Sequence, residues 1–186
     1  MVSNETLYLI VTGGGAARRV PALLPSLVEL FGRVITVPTP AAKQIVSLGD
    51  LAAVPGHQLV EGYFEPVIYP TPPGDVLVAP CTFNSLNKLA QGIADTLALS
   101  IVAEAIGRGQ RVVVAVSVNA ALWAHPRAQE SVATLRRWGC HVLEPIGDPA
   151  REGEQPAPLT QLTMAPDKAI LAAIVGWDQE TESPLS

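Results

Sequence analysis

The chain has 186 residues, of which 48% are hydrophobic and 16% are charged, and this length suits one domain with a sizeable core. Its net charge of -5 argues against a nucleic acid or an anionic membrane as partner. No apolar run reaches membrane length, and no basic N-terminal region leads into an apolar stretch and a cleavage site. We therefore expect neither a membrane span nor a signal peptide. The low charge content favours a sheet that is buried on both faces or a surface that is partly covered by other subunits.

The two cysteines, Cys81 and Cys140, follow no metal-type spacing and do not constitute a disulfide framework. Each stands beside a predicted strand, where a reduced and buried thiol is usual. We expect no metal site and a cytoplasmic location.

The first predicted strand, Leu7 to Thr12, runs into a glycine-rich turn, Gly13 to Ala17, and then into a predicted helix from Arg18 to Phe31. Such a turn lets backbone N–H groups approach a phosphate at the helix N-terminus. The third glycine of the dinucleotide fingerprint would fall at Arg18, so the full fingerprint is absent. The alternative is a tight turn that binds no ligand.

A second short strand, Val34 to Val37, ends in a proline-rich turn, Pro38 to Ala42. A dinucleotide site would place an Asp or Glu near this strand end to hold the ribose hydroxyls, and neither is present. Thr39 offers a hydroxyl that suits a phosphate oxygen instead. These two strand ends therefore indicate a mononucleotide pocket rather than a dinucleotide pocket.

The stretch that follows gives weaker signals. We predict a short helix at Leu48 to Val54 and an edge strand at Gln58 to Tyr63, with His57 as an exposed loop residue between them. The segment from Val67 to Gly74 is rich in proline and is not expected to form a helix.

A buried parallel strand, Val76 to Val78, is expected to stop at Pro80, and Thr82, Asn84 and Ser85 follow where strand gives way to helix. In an open parallel sheet, ligands bind beyond the carboxyl ends of the strands. Small hydroxyl and amide side chains there can hold a polar ligand without adding charge. The alternative is an ordinary turn in which Thr or Asn caps the helix.

The second half of the chain alternates predicted helices and strands. The sequence predicts a helix at Asp95 to Arg108, a third parallel strand at Arg111 to Val116, a helix and a strand within Ala128 to Val142, and a closing helix at Asp167 to Val175. The turn-rich stretch from Glu144 to Pro158 is expected to be a loop or flap.

Three side chains of this half are expected to be structural. Trp123 is expected in the core, His125 at a helix start and His141 at a strand end. The last residues, 178–186, are expected to form a disordered tail.

Two segments carry recognisable motifs. The first holds Pro80-Cys81-Thr82-Phe83-Asn84-Ser85, then Lys88, then Gly92-Ile93-Ala94-Asp95. It resembles the signature loop of the flavoprotein family of cysteine decarboxylases, which reads Pro-Ala-Ser-Ala-Asn-Thr, then a lysine, then Gly-x-Ala-Asp. The second resembles the family's Pro-x-Met-Asn-x-x-Met-Trp: Asn119 and Trp123 are in register, whereas Val116, Val118 and Leu122 replace the proline and the methionines.

The resemblance implies a doubly wound α/β fold, with a parallel sheet in a Rossmann- or flavodoxin-like three-layer sandwich that forms one flavin-binding domain over residues 1–177. It also implies FMN as cofactor, a homotrimer (or a multiple of trimers) with the flavin at a subunit contact, and a small-molecule or peptide substrate. In the family's reaction the flavin oxidises a cysteine thiol, and the adjacent carboxylate then leaves as carbon dioxide.

The resemblance also suggests roles for individual residues. The expected cofactor-binding residues are Gly13, Gly14, Gly15, Ala16, Thr39, Pro80, Thr82, Asn84, Ser85, Val116 and Ser117. Asn84 and Asn119 are expected to orient the substrate.

The chain departs from the family at two places. The family's histidine would fall between Glu65 and Asp75, where the chain has none and Tyr69 is the nearest hydrogen-bonding side chain. No cysteine follows Cys140, so the cysteine-rich substrate clamp of phosphopantothenoylcysteine decarboxylases is absent. The catalytic residue is therefore left unassigned.

Two other functions stay open. The first is a flavin-binding protein that has lost the decarboxylase chemistry. The second is a flavin prenyltransferase-like enzyme, whose phosphate-binding charges would be Arg18, Arg19, Lys43 and Lys88.

Overall fold

The main sheet of the computed structural model, which describes residues 6–68, 71–147 and 162–176, has six parallel strands. In chain order they are β1 (Thr6–Val11), β2 (Arg33–Pro38), β3 (His57–Leu59), β4 (Asp75–Cys81), β5 (Val112–Val116) and β6 (His141–Leu143). The spatial order is β3-β2-β1-β4-β5-β6, so the chain moves outwards from β1 to β3 and then returns to β4. The strand order therefore reverses between β1 and β4, and a crevice is expected at their carboxyl ends.

Helices cover both faces of this sheet. In chain order they are α1 (Val20–Leu30), α2 (Leu48–Ala52), α3 (Phe83–Ala90), α4 (Leu97–Gly107), α5 (Ala120–Trp123), α6 (Pro126–Arg137) and α7 (Asp167–Val175). Helices α1, α2 and α7 pack on one face, and α3, α4 and α6 pack on the other. The doubly wound three-layer α/β sandwich is thus confirmed.

Smaller elements complete the fold. Short 3-10 helices span Gly15–Arg19 and Ala42–Gln44. An antiparallel ribbon pairs β7 (Ile146–Gly147) with β8 (Leu162–Thr163) outside the main sheet. Within the described ranges, no helix combines the length and the apolar character needed to cross a bilayer.

The first strand shows why the sequence carries so few charges. Leu7, Leu9 and Val11 pack into the core on one face of the sheet, while Tyr8 and Ile10 pack into the core on the other. A strand covered on both faces has no polar side, so it reads as a continuous apolar run. Each such side chain contributes about 1.5–3 kcal/mol to folding through its burial.

The fourth strand extends further than the sequence indicated. We expected it to stop at Pro80, but β4 continues to Cys81, which pairs with Val116 of β5. The register shifts between Val78 and Cys81, and the Ala79–Pro80 peptide bond is cis. Proline cannot donate a ladder hydrogen bond, so a sheet accommodates it at such an irregularity.

The edge strand predicted at Gln58 to Tyr63 is present but has other bounds, and the expectation that His57 is an exposed loop residue was wrong. Strand β3 covers His57–Leu59, and the His57 ring bonds through Nδ1 to Thr36 Oγ1 (2.9 Å) and through Nε2 to the Leu51 carbonyl (2.8 Å). His57 is therefore a half-buried structural residue. The strand does not reach residue 63 because a Glu65 carboxylate oxygen accepts the amides of residues 61 and 62 and folds this stretch into a turn.

Most other elements agree with the sequence predictions to within a few residues. The closing helix has the predicted bounds, Asp167–Val175, whereas α1 starts at Val20 and α4 at Leu97, each two residues later than expected. Trp123 packs against the core and His125 caps α6, as predicted. Tyr69, most of the predicted flap and the tail at 178–186 lie outside the described residues.

Candidate functional site

A cavity of about 640 Å³ lies at the carboxyl ends of β1, β2, β4 and β5, where the strand order reverses. This volume is within the usual range for small-molecule and cofactor sites. Its lining residues are Gly13, Thr39, Pro40, Ala41, Thr82, Phe83, Asn84, Ser85, Lys88, Thr96, Leu99, Ser117, Val118, Asn119 and Leu122.

Thr12 joins the two strand ends beneath the cavity. Its hydroxyl donates to the Pro80 carbonyl at 2.7 Å and accepts from the Thr82 amide at 3.0 Å. The side chain is fully buried, so both bonds are shielded from water. Thr12 thereby fixes the position from which the Thr82 side chain enters the cavity.

Gly13 allows the loops after β1 and β2 to meet. A Cβ at this position would lie 2.6 Å from the Ala41 Cβ and 2.8 Å from the Ala41 carbonyl carbon. These are backbone and near-backbone atoms, so they cannot move aside as a flexible side chain would. The glycine here is required by close approach of the second loop, which also carries Thr39 into the cavity.

The N-terminus of α3 provides a cluster of polar groups. Thr82 caps the helix: its hydroxyl accepts from the Ser85 amide at 3.4 Å and donates to the Ser85 Oγ at 3.1 Å. The amides of Phe83 and Asn84, in the first turn, have no intrahelical acceptor. Those amides and the positive end of the helix dipole suit an anionic group, and the Thr82 and Ser85 hydroxyls add further polar contacts.

Apolar side chains also line the cavity. Phe83, Leu99, Val118 and Leu122 are among them, and they offer surfaces against which a planar ring can pack. Asn119 caps α5 through its Oδ1, which accepts from the Leu122 amide at 2.9 Å. This leaves its Nδ2 amide as the group that can donate to a ligand.

Charge is scarce around the cavity. Among the described residues that line it, Lys88 alone carries an ionisable side chain, and its Nζ lies 2.5 Å from Asp95 Oδ2. Arg19 points elsewhere, because its guanidinium donates to the Met164 and Ala165 carbonyls and pairs with Asp167. The prenyltransferase hypothesis needed several phosphate-binding cations at one site, and the lining residues provide one.

All three histidines of the chain fall in the described part, and none of them lines the cavity. His57 and His141 are the first residues of parallel strands, so they lie at the amino ends of the strands, and the cavity lies at the carboxyl ends. His125 lies on the cavity side: its ring packs edge-on against Phe83, with centroids 5.4 Å apart. Its Nδ1 accepts from the Arg127 amide at 3.0 Å, so the neutral ring carries its proton on Nε2.

The two cysteines are buried and reduced, as predicted. Burial raises the pKa of the Cys140 thiol to about 11 and raises the pKa of Cys81 well above its ordinary value. Both thiols are therefore protonated at neutral pH and unsuited to nucleophilic chemistry.

The structure brings together seven of the predicted site residues, in one cavity: Gly13, Thr39, Thr82, Asn84, Ser85, Ser117 and Asn119. The others lie around it. Gly14 lies beside Thr82, because a Cβ built on it would lie 3.2 Å from Thr82 Cγ2, and it is not among the lining residues. Pro80 and Val116 are buried within strands, and Gly15 and Ala16 line a separate cavity beside Arg19 and Asp167. Contact of these residues with a cofactor stays a prediction.

Thr96 and Leu99 are among the lining residues that the sequence analysis did not include in the site. The Thr96 hydroxyl caps α4 by accepting from the Leu99 amide at 3.3 Å. We expected this helix to begin at Asp95, which hid the cap. A threonine just before an apolar helix is the signal that could have identified it.

The family model described as Flavoprotein matches residues 1–176, so the chain belongs to the flavoprotein family. It is 33% identical over 141 residues to the coenzyme A biosynthesis bifunctional protein CoaBC of Mycobacterium tuberculosis, covering 73% of this chain and 33% of that protein. It is 30% identical over 138 residues to phosphopantothenoylcysteine decarboxylase of Mus musculus, covering 69% and 67%. The chain therefore spans about a third of the length of its bifunctional relative.

A solved structure, that of the FMN-dependent cysteine decarboxylase SpaF, is also similar. It matches with a TM-score of 0.70 at 26% identity over 94% of this chain and 97% of SpaF. The family expected from the two motifs is confirmed. None of these three proteins supports the prenyltransferase hypothesis.

Proposed function

We propose that the chain binds FMN in the cavity at the carboxyl ends of β1, β2, β4 and β5, within a single flavin-binding domain. The observation that carries this proposal is that hydroxyl, amide and helix N-terminal groups line the same cavity as several apolar side chains. Thr82, Ser85 and the first-turn amides of α3 would hold the phosphate, and Thr39 would face it from the second loop. Phe83 and Leu99 are among the residues that would pack against the ring system.

The charge of the site suits this ligand. Backbone amides, hydroxyls and a helix dipole can bind a phosphate without a cluster of basic residues. The turn after β2, Pro38 to Ala42, lacks the acidic residue that would hold a ribose of a dinucleotide, and this favours a mononucleotide.

The reaction that we propose is the oxidative decarboxylation of a cysteine-containing peptide or small molecule. Support comes from the similarity to the mouse phosphopantothenoylcysteine decarboxylase and to the cysteine decarboxylase SpaF. FMN, when bound, would supply the two-electron oxidation of the substrate thiol. The substrate then loses carbon dioxide and two hydrogens overall and leaves an enethiol.

The protein's own residues would orient the substrate for this loss. Asn119 has its Oδ1 engaged in the helix cap, so its Nδ2 would donate to a substrate carbonyl or carboxylate. Asn84 is exposed in the first turn of α3 and lines the same cavity. Two amides on different helices can fix the orientation of the substrate carboxylate. Because they are uncharged, they do not stabilise the carboxylate against leaving as carbon dioxide.

The chain is also proposed to act as a homo-oligomer, with a trimer as the specific expectation, in the cytoplasm. Two neighbouring aromatic side chains support a contact between subunits: Tyr63 is 50% exposed and Phe64 is 84% exposed. Light scattering coupled to gel filtration gives the number of subunits directly.

The test of the proposed function uses the purified protein and added FMN. An oxidised-flavin spectrum that remains after gel filtration, and a product lighter than a cysteine-ended peptide by carbon dioxide and two hydrogens, are the expected results. A protein that gains neither visible absorbance nor thermal protection from FMN would overturn the whole proposal. A yellow protein that leaves every cysteine substrate unchanged would show the flavin-binding protein without decarboxylase activity.

Asn119→Ala and Asn84→Ala distinguish substrate orientation from cofactor binding. We expect each variant to retain FMN and to lose at least tenfold in kcat/KM, because the lost contact acts on the substrate. Ala121→Ser, on the exposed surface of α5, is a matched control and should leave both measurements unchanged.

A further inference from the structure

A second chamber of about 230 Å³ opens beside the main cavity. Thr39, Pro40 and Thr96 belong to the walls of both, so one ligand can extend from the cavity into this arm chamber. We infer that the arm chamber is a recognition subsite for the part of the substrate next to its cysteine, and that it selects an uncharged or cationic arm over a phosphorylated one. The inference rests on the proposed function, since it places the reacting thiol in the main cavity.

The charges around the arm chamber are already balanced. Lys43 is bound to Glu61, with Nζ and Oε2 2.6 Å apart, and both residues line the chamber. Asp95 also lines it and lies 2.5 Å from Lys88 Nζ, which belongs to the main cavity. The lining charges of Lys43, Glu61 and Asp95 sum to -1, and adding Lys88 brings the total to zero.

This balance disfavours a phosphate. Proteins bind phosphate groups with cations or with several N–H donors that converge on the oxygens. Among the described residues of the arm chamber, the one cation is already paired with a carboxylate. A phosphate dianion would have to displace Glu61 and would then face two carboxylates. A cationic arm would face lining side chains whose net charge is -1, and this attracts it weakly.

The remaining walls suit a compact aliphatic arm. Val37, Leu97 and Ala98 are among the lining residues, and the half-exposed ring of Tyr63 forms one side. Apolar walls with a few polar groups are the usual composition of a ligand subsite.

The turn that carries Glu61 and Tyr63 is closed by its own hydrogen bonds. Glu65 Oε1 accepts from the Glu61 amide at 2.7 Å and from the Gly62 amide at 2.9 Å. This closed turn fixes the backbone on which both side chains stand. Such preorganisation reduces the entropy that binding has to overcome.

The test compares four tripeptides that end in cysteine and differ only in the preceding residue, which is lysine, alanine, glutamate or phosphoserine. Each peptide reduces the flavin once when oxygen is absent, so its apparent dissociation constant is taken from the dependence of the flavin-reduction rate on peptide concentration in the FMN-loaded protein. We expect affinity to fall in that order, by about threefold for each unit of charge, because the carboxylates of Glu61 and Asp95 are 46% and 48% exposed. The range from lysine to phosphoserine is then about thirtyfold, and it should shrink as ionic strength rises.

Glu61→Gln tests the source of the preference. The substitution removes one carboxylate and leaves Lys43 without this partner, so the phosphoserine peptide should gain affinity and the lysine peptide should lose it. Asp95→Asn removes the second lining carboxylate and should change the preference in the same direction. Glu130→Gln is the matched control, because Glu130 pairs with Arg127 on α6 and lines neither chamber. The alanine peptide should bind all four proteins about equally.

The outcomes separate this inference from the proposed function. Equal affinities for the four peptides, or tightest binding of the phosphoserine peptide, would overturn the inference about the arm chamber. The proposed flavoenzyme function would be unaffected. If FMN stays bound but no cysteine peptide binds or is decarboxylated, the proposed function and the subsite fall together.

Discussion

Gly13→Ala is expected to distort the main cavity, because it forces apart the two loops that meet there. The new methyl group would lie 2.6 Å from the Ala41 Cβ and 2.8 Å from its carbonyl carbon, well inside van der Waals contact. The clash involves backbone, so the loop that carries Thr39 has to move away from the loop after β1. Forcing extra volume into a packed site costs about 1–3 kcal/mol. For a chain of this length, about 2 kcal/mol corresponds to a loss of roughly 6 °C in Tm.

Gly15→Ala is the matched control from the same turn. Among the described residues, no atom lies within 4 Å of a Cβ built on Gly15, and its φ is not in the left-handed region. This substitution should be neutral or stabilise the protein by up to about 1 kcal/mol, because it restricts the unfolded chain.

Two measurements check the prediction: urea unfolding without flavin, and the Kd for FMN from quenching of flavin fluorescence. Gly13→Ala should unfold at lower urea and bind FMN about tenfold more weakly, since Thr39 is displaced from the cavity. If Gly13→Ala is as stable as Gly15→Ala and binds FMN as tightly as the unsubstituted protein, the close approach of the two loops does not shape the site, and the reasoning fails.

Three other outcomes follow from buried groups. Thr12→Val removes the hydroxyl that bonds to the Pro80 carbonyl and the Thr82 amide. Urea unfolding should show that the free energy of unfolding falls by about 1–3 kcal/mol, and FMN should bind more weakly. Unchanged values would argue against this link between the two strand ends. Asp75→Asn removes the carboxylate of a buried ion pair with Arg111, and urea unfolding should show that the free energy of unfolding falls by about 3–5 kcal/mol. Glu104→Gln breaks the exposed pair with Arg108 and should lower it by less than about 1 kcal/mol. Burial raises the pKa of Cys140 from 9.0 to about 11 and that of Tyr8 from 10.0 to about 12. Below pH 9 both groups are neutral in the folded and unfolded chain, and their contribution to stability is complete. Above about pH 9 these groups ionise in the unfolded chain first, so the free energy of unfolding should fall from about pH 9 to 11 and beyond. Cys140→Ala should make that fall shallower.

Much of the sheet was predictable from local patterns. Strands β1, β4 and β5 read as unbroken apolar runs because each is covered by helices on both faces. Edge strand β3 was placed less well, since it is three residues long and alternates between half-buried and exposed side chains. Its end depends on the Glu65 carboxylate, which reaches back over four residues to the amide of residue 61, a contact that no strand pattern contains.

The candidate site was predictable in its polar half and not in its walls. Thr82, Asn84 and Ser85 follow a buried strand, and parallel strands bring such residues to one edge of the sheet. Arg19 shows the limit of this argument. The sequence marks it as a phosphate-binding cation, but it bonds to carbonyls 145 and 146 residues away and holds the C-terminal segment instead.

The amino-acid sequence by itself determined the parallel α/β class, the flavoprotein family and the run of hydroxyl and amide groups at the strand ends, because hydrophobic burial and helix capping act over a few neighbouring residues. Only the tertiary structure decided which of those groups share a cavity. The Gly13–Ala41 approach, the entry of Thr96 and Leu99 into the wall and the paired charges of the arm chamber all join residues distant in sequence. Such contacts arise from how helices pack across the sheet, and side-chain packing at that range leaves no periodic trace in the chain.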